Sequence, residues 1–155
     1  MNRFSTETLV LLHNAGWKEG RYVEIKNYEE VLNNEGFSIH DCVKNLLKEF
    51  ANLTVIHPHA KVSNEKDYFH FDVSKAVKGR DPYWVKEDYR VRVGKNLCII
   101  GEAFRGYMVL SMSDDGNVYA GFDDILVHVG ISGDDAIEAL CTGRKLLEIP
   151  DYEPD

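Results

Sequence analysis

The sequence is poor in the features that mark secreted and membrane-spanning proteins. Its 155 residues include three cysteines, Cys42, Cys98 and Cys141, and none of them forms a CxxC pair. Disulfide frameworks and structural zinc sites normally use more cysteines at closer spacing. No apolar run approaches the roughly 20 residues of a membrane helix, and the N-terminal LVLL is too short for a signal peptide. We therefore expect a cytoplasmic protein with reduced thiols and no membrane contact.

Proline is also sparse, with 4 residues, and the 12 glycines are scattered along the chain, so no linker divides it. Internal repeats and low-complexity stretches are absent as well. A chain of this length forms one core of ordinary size. We expect a single domain over residues 1–155, with residues 146–155 as a frayed acidic tail.

Basic residues are scarce in the last third of the chain. The formal net charge is −8, yet residues 1–110 balance to +1, whereas residues 111–155 hold 2 basic and 11 acidic side chains, a balance of −9. This charge repels phosphate backbones, so nucleic acid is not an expected partner. It attracts a cationic protein surface. The alternative is that the acid only keeps the protein soluble.

The pattern of apolar residues predicts helices at both ends of the chain. Ser5 caps a first helix that Gly16 ends. Asn27 and Ser38 are expected to cap the next two helices, and the helix over residues 38–52 carries a continuous apolar stripe. Ser132 begins a last helix with an S-x-x-D capping box.

Strands with a period of two occupy the middle of the chain. They are predicted at residues 53–57, 68–72, 97–100, 107–112, 118–122 and 125–129, with one helix inserted after Asp81-Pro82. Asp115-Gly116 lies between two of these runs, which is a strong signal for a hairpin. Consecutive strands joined by hairpins favour an α+β fold with a mostly antiparallel sheet.

Two clusters of residues could carry chemistry. Histidine and aspartate recur at alternate positions near the ends of the first two strands, which would suit zinc if the strands met: His57, His59, His70 and Asp72. Glu102 follows an apolar run, and a buried carboxylate can act as a general acid or base. The more ordinary interpretations are strand-end histidines and a carboxylate bound to the backbone or to an arginine, with Arg105 nearest along the chain. No Walker loop, GxSxG or EF-hand pattern is present, so we expect no cofactor or metal site, and an enzyme that uses Glu102 or the histidines is the distant alternative.

Several segments together resemble one known family. They are AGWKEGR at residues 15–21, IGEA at 100–103, GNVYAGFDD at 116–124 and ALCTG at 139–143, within a similarity that spans residues 4–143. In this order they resemble the third branch of the SUKH superfamily of bacterial immunity proteins. The resemblance implies a SUKH-like α+β fold, with N-terminal helices, a central twisted sheet and helices packed against it.

The resemblance also implies that the protein acts by binding and is not an enzyme. Such proteins neutralise a cognate toxin domain, often a nuclease, by covering its active or substrate-binding surface. A basic nuclease face would suit acidic contacts, and the candidates are Asp114, Asp115, Asp123, Asp124, Asp134 and Asp135. The alternative function is a non-enzymatic regulatory scaffold that has no toxin partner.

Overall fold

The computed structural model describes residues 3–151, and within that range one antiparallel sheet is combined with six α-helices. In chain order the elements are α1 (Thr6–Ala15), α2 (Lys26–Asn34), α3 (Asp41–Phe50), β1 (Thr54–Pro58), β2 (Lys66–His70), α4 (Val73–Val77), a π-helical segment (Trp84–Tyr89), α5 (Arg90–Val93), β3 (Leu97–Ala103), β4 (Met108–Ser113), β5 (Val118–Phe122), β6 (Ile125–Gly130), α6 (Gly133–Thr142) and β7 (Leu147–Glu148).

The seven strands follow one another across the sheet in the same order as along the chain, and each neighbouring pair is antiparallel. The sheet is curled, because α6 packs against β6 and also against β1. Since α6 carries five buried residues on one short helix, it supplies much of the filling of this concave face. The opposite face of the sheet is covered by the π-helical segment, which contacts β3. The α+β class predicted from the sequence is confirmed.

The helix ends were predicted with mixed success. The Ser5 hydroxyl accepts a hydrogen bond from the Thr8 amide at 3.2 Å, and Gly16 ends α1 with φ of 105°. The caps predicted at Asn27 and Ser38 are wrong: α2 follows Ile25 and α3 follows His40, and neither helix has a side-chain cap. Both helices are strongly amphipathic, so packing of their apolar faces against the core positions them without a side-chain cap.

The segment between β2 and β3 also differs from the prediction. Helix α4 was not predicted, although the Asp72 carboxylate caps it by accepting from the Lys75 amide at 3.0 Å. The expected helix after Asp81 is present, but its first part is the π-helical segment. It ends as predicted at Gly94, which has φ of 73°.

The end of the chain is not frayed over residues 146–151. Strand β7 pairs with β6, and the Ile149 amide donates to the Leu126 carbonyl at 2.7 Å. Arg92 donates to the carbonyls of Ile149 and Pro150. The prediction was wrong there because backbone pairing with β6 and the packing of Leu146 and Ile149 against the core hold this segment. The remaining part of the predicted tail, residues 152–155, lies outside the described residues.

Two further sequence predictions concern the cysteines and membrane-spanning segments. Cys98 and Cys141 are buried and Cys42 is partly buried, and all three are free thiols. Among residues 3–151, no helix has the length and apolar character to cross a bilayer.

Candidate functional site

The six candidate aspartates lie at two different ends of the sheet. Asp114 and Asp115 form the β4–β5 turn, whereas Asp123 and Asp124 form the β5–β6 turn. These turns lie at opposite ends of β5, a strand of 5 residues, so roughly 17 Å of strand separates them. Two more aspartates, Asp134 and Asp135, stand in the first turn of α6.

The structure brings Asp115 and Asp134 to one surface, and Asp114 and Asp135 are their neighbours in sequence. Asp115 and Asp134 line one shallow cavity of about 310 Å³, next to Arg3 and Glu49. We call the surface formed by Asp114, Asp115, Asp134 and Asp135 the acidic end. It does not include Asp123 and Asp124, so the six residues do not form one patch.

Ion pairs within the fold occupy the α6 carboxylates of the acidic end. Arg3 donates to both oxygens of Asp134 at 2.8 Å and also to Glu49, which ties the N-terminus to α3 and α6. Asp135 pairs with Arg144 at 3.0 Å and accepts from the Ile131 amide at 3.0 Å. The hydrogen bond from Arg144 holds the pKa of Asp135 below its usual value.

The two carboxylates of the β4–β5 turn differ from each other. Asp115 accepts from the Ser113 hydroxyl and from the Asn117 amide, and it pairs with Lys95 at 3.4 Å. The bond from Ser113 is the first cause of the low pKa of Asp115. Asp114 is exposed, and within residues 3–151 its carboxylate has no hydrogen-bond or ion-pair partner. Asp114 is thus the one carboxylate of the acidic end that is fully available.

Asp123 and Asp124 serve the fold through their backbone carbonyls. The Tyr89 hydroxyl donates to the Asp123 carbonyl at 2.6 Å, and Arg92 donates to the Asp124 carbonyl at 2.7 Å. Asp123 has φ of 49°, a left-handed conformation that aspartate tolerates better than most residues. A Cβ at Gly121 would lie 2.4 Å from the Tyr89 ring, so only glycine leaves room for that ring. The GFDD segment therefore anchors the π-helical segment to the sheet.

Glu102 is buried, as predicted, but its partners are not the expected Arg105. Arg80 and His70 both bind its carboxylate, with His70 Nε2 at 2.8 Å. The His70 Nδ1 atom accepts from the Asp72 amide at 3.0 Å, so the ring proton is on Nε2 and points at Glu102. Arg105 instead donates to the Lys66 carbonyl. This cluster joins β2, β3 and the segment before the π helix.

Each histidine proposed as a zinc ligand has a ring nitrogen within hydrogen-bond distance of a backbone group. His57 Nδ1 lies 2.8 Å from the Pro58 carbonyl, and His59 Nδ1 accepts from the amides of Lys61 and Val62. Strands β1 and β2 are neighbours, but their register pairs His57 with Asp67 and Thr54 with His70. Within residues 3–151, no group of three or more histidine, cysteine or carboxylate ligands is arranged around a common centre.

Sequence reasoning missed an apolar cleft of about 540 Å³ beyond the end of α6. Its apolar lining comes from distant parts of the chain: Ala60, Phe104, Met108, Val127, Ala139, Leu140 and Leu146. Arg144 and Lys145, the two basic residues among the last 45, both stand at this cleft. Two adjacent basic residues in an otherwise acidic segment were the sequence feature that could have indicated this cleft.

The α+β fold thus presents an acidic end and an apolar cleft, and contacts within the fold occupy most of the candidate titratable groups. The SUKH-3 immunity protein family model matches residues 4–143. The chain belongs to the SUKH-3 immunity protein family, as the sequence resemblance indicated. No curated protein and no solved structure matches it. Families of this kind are generally non-enzymatic.

Proposed function

We propose that the protein binds and neutralises a cognate bacterial toxin domain in the cytoplasm, without catalysis, by covering the toxin's active or substrate-binding surface. The match to the SUKH-3 immunity family over residues 4–143 carries this proposal. The geometry is compatible with it, because the candidate catalytic carboxylate Glu102 is 7% exposed and bound by two side chains of the same fold.

The acidic end is the proposed contact for a basic toxin face, such as that of a nuclease. Five carboxylates meet three cations there, since Glu49 adjoins the four aspartates and Arg3, Lys95 and Arg144 are their partners. The remaining negative potential accelerates association with a cationic protein and weakens as salt is added. Asp123 and Asp124 are the alternative contact, at the other end of β5.

The first experiment pairs the protein with the toxin domain encoded beside its gene. Co-expression measures rescue of growth, and calorimetry measures affinity at two salt concentrations. Rescue together with tight, salt-sensitive binding is the expected result. A lack of both rescue and binding would contradict the assignment of that toxin and favour the regulatory scaffold.

Two single substitutions decide between the alternative contacts. Asp114→Asn and Asp124→Asn each remove one exposed carboxylate that has no side-chain partner within residues 3–151, so neither should disturb the fold. We expect Asp114→Asn to weaken binding roughly threefold to tenfold at low salt and Asp124→Asn to leave it unchanged. The reverse order would assign the contact to the β5–β6 turn, and equal affinity for both variants and wild type would exclude both aspartates as contacts.

A further inference from the structure

The apolar cleft lies beyond the C-terminal end of α6, where the concave face of the sheet continues without this helix above it. Gly143 terminates the helix and packs closely on the loop after β1, since a Cβ at this position would lie 3.1 Å from the Ala60 Cβ. Beyond that contact, Met108 of β4 and Val127 of β6 are left only partly buried. The volume of about 540 Å³ lies within the range of about 300–1,000 Å³ that is typical of sites for bound groups.

The loop between β3 and β4 holds one wall of the cleft in a strained conformation. Phe104 and Arg105 have φ of 56° and 58°, and two consecutive non-glycine residues rarely adopt this left-handed conformation. Arg105 Nε donates to the Lys66 carbonyl at 3.1 Å, and the Arg105 amide donates to the Tyr68 carbonyl at 3.2 Å. These bonds to β2 keep Phe104 in the cleft wall. Strain of this kind is concentrated at binding sites.

The rim of the cleft is positive, in contrast to the chain as a whole. Lys61 and Lys145 are exposed and have no ion pair within residues 3–151, whereas Arg144 is paired with Asp135. The acidic lining residue Asp67 is 6% exposed and accepts a hydrogen bond from the Tyr68 amide at 2.7 Å. Burial lowers the pKa of His57, so that ring is neutral near pH 7. The exposed charge at the rim that has no ion pair within residues 3–151 is therefore that of the two lysines, and Asp67 is a buried carboxylate among the lining residues.

We propose that the cleft binds an acidic segment of the toxin, which inserts one or two apolar side chains between Phe104, Met108 and Val127 while its carboxylates pair with Lys61 and Lys145. This inference rests on the proposed function, because the toxin supplies the segment. It names a contact different from the acidic end: the cleft takes apolar and negative groups, whereas the acidic end takes positive ones. The apolar lining supplies affinity, and the two lysines select the acidic flanks.

The rim is tested by charge reversal with a matched control. The double variant Lys61→Glu/Lys145→Glu reverses the rim, whereas Lys18→Glu/Lys78→Glu makes the same change in net charge at exposed lysines outside the cleft. Calorimetry with the neighbouring toxin domain should show binding weakened roughly tenfold or more by the rim variant at low salt, and within about twofold of wild type for the control.

The lining is tested by substitutions that keep side-chain shape. Met108→Gln and Val127→Thr place polar atoms in the cleft with little change of volume, and the rim lysines stay intact. We expect the pair to weaken toxin binding roughly tenfold at any salt concentration, because the lost contact is apolar. Circular dichroism and urea unfolding of each variant confirm that the fold is retained, and Val127→Thr alone is used if the double variant unfolds.

The outcomes separate this inference from the proposed function. Wild type that does not bind the toxin overturns both. Wild type that binds, with rim and lining variants that bind equally well, overturns only the cleft inference. A wild-type dimer in light scattering that the rim variant converts to monomer would assign the cleft to a second copy of the chain and would also overturn it.

Discussion

The two ends of α6 use charge in opposite ways. At its N-terminus, Asp134 and Asp135 are bound by Arg3 and Arg144, so the fold itself uses most of the acid. Past its C-terminus, Lys145 lies at the rim of an apolar cleft and has no ion pair among the described residues. Acidic residues at the start of a helix and basic residues after its end both interact favourably with the helix dipole. The comparison teaches that charge counted along a sequence is not the charge that a partner meets.

The largest predicted effect concerns Glu138, which joins the middle of α6 to the start of α1. Its carboxylate accepts from the Ser5 amide at 2.8 Å, the Ser5 hydroxyl at 2.7 Å and the Thr8 hydroxyl at 3.0 Å. Glu138→Ala should lower the free energy of unfolding by about 2–3 kcal/mol, because three charge-assisted bonds are lost. Urea denaturation measures this, and Glu138→Gln should recover part of the loss. An alanine variant as stable as wild type would show that the hydrogen bonds of Glu138 do not stabilise the contact between α6 and α1.

The next effect compares a bound with an unbound carboxylate at the same end. Asp135→Asn weakens the bond with Arg144 and should cost about 1 kcal/mol, discounted for partial exposure. Asp114→Asn removes a charge without a partner within residues 3–151 and should change stability by less than about 0.5 kcal/mol. Thermal and urea unfolding of both variants test the difference. Equal losses would mean that the two carboxylates are not used differently.

Acid should weaken the N-terminal end of α6 in particular. Burial alone would raise the pKa of Glu138, but hydrogen bonds from Ser5 and Thr8 outweigh it and hold the pKa below its usual value. Arg144 likewise holds the pKa of Asp135 below its usual value. Because both pKa values are lowered by folding, their stabilisation is complete above about pH 5 and is lost as the pH falls through the folded values.

The test is the slope of stability against pH. Urea unfolding measured from pH 6 to pH 3 should show a smaller loss for Asp135→Asn than for wild type, since the variant has no carboxylate to protonate at this position. Identical curves would contradict the prediction.

The smallest expected effect is at the cleft. Lys61→Glu/Lys145→Glu should alter the free energy of unfolding by less than about 0.5 kcal/mol, because both side chains are exposed and unpaired within residues 3–151. Paired with the binding assay above, this variant separates recognition from folding. A destabilisation as large as that of Asp135→Asn would show that the rim lysines also stabilise the fold. The two ends of α6 would then not differ in how they use charge.

The elements with strong local signals were predictable, and those decided by distant contacts were not. The Ser132 cap and the Asp115-Gly116 hairpin are local and were found, although the Asp135 carboxylate accepts from the Ile131 amide and so the full capping box does not form. Helix α4 is 5 residues long, too short for an apolar period to show. The partners of Glu102 lie 32 and 22 positions away in sequence, so proximity along the chain favoured Arg105 instead. The cleft combines loops and strands from the whole chain, and no local pattern marks it.

The chain-order sheet has a consequence for how the protein is made. Each strand pairs with the strand next to it in the chain, so hairpins can form one after another as they leave the ribosome. The concave face can close only when α6 has been synthesised and reaches back to β1. Until then the growing chain exposes the apolar side of an unfinished sheet. The slow, vulnerable stage of biogenesis is therefore the arrival of one late helix, and mutations in α6 should reduce soluble yield more than equally destabilising mutations in the first hairpin.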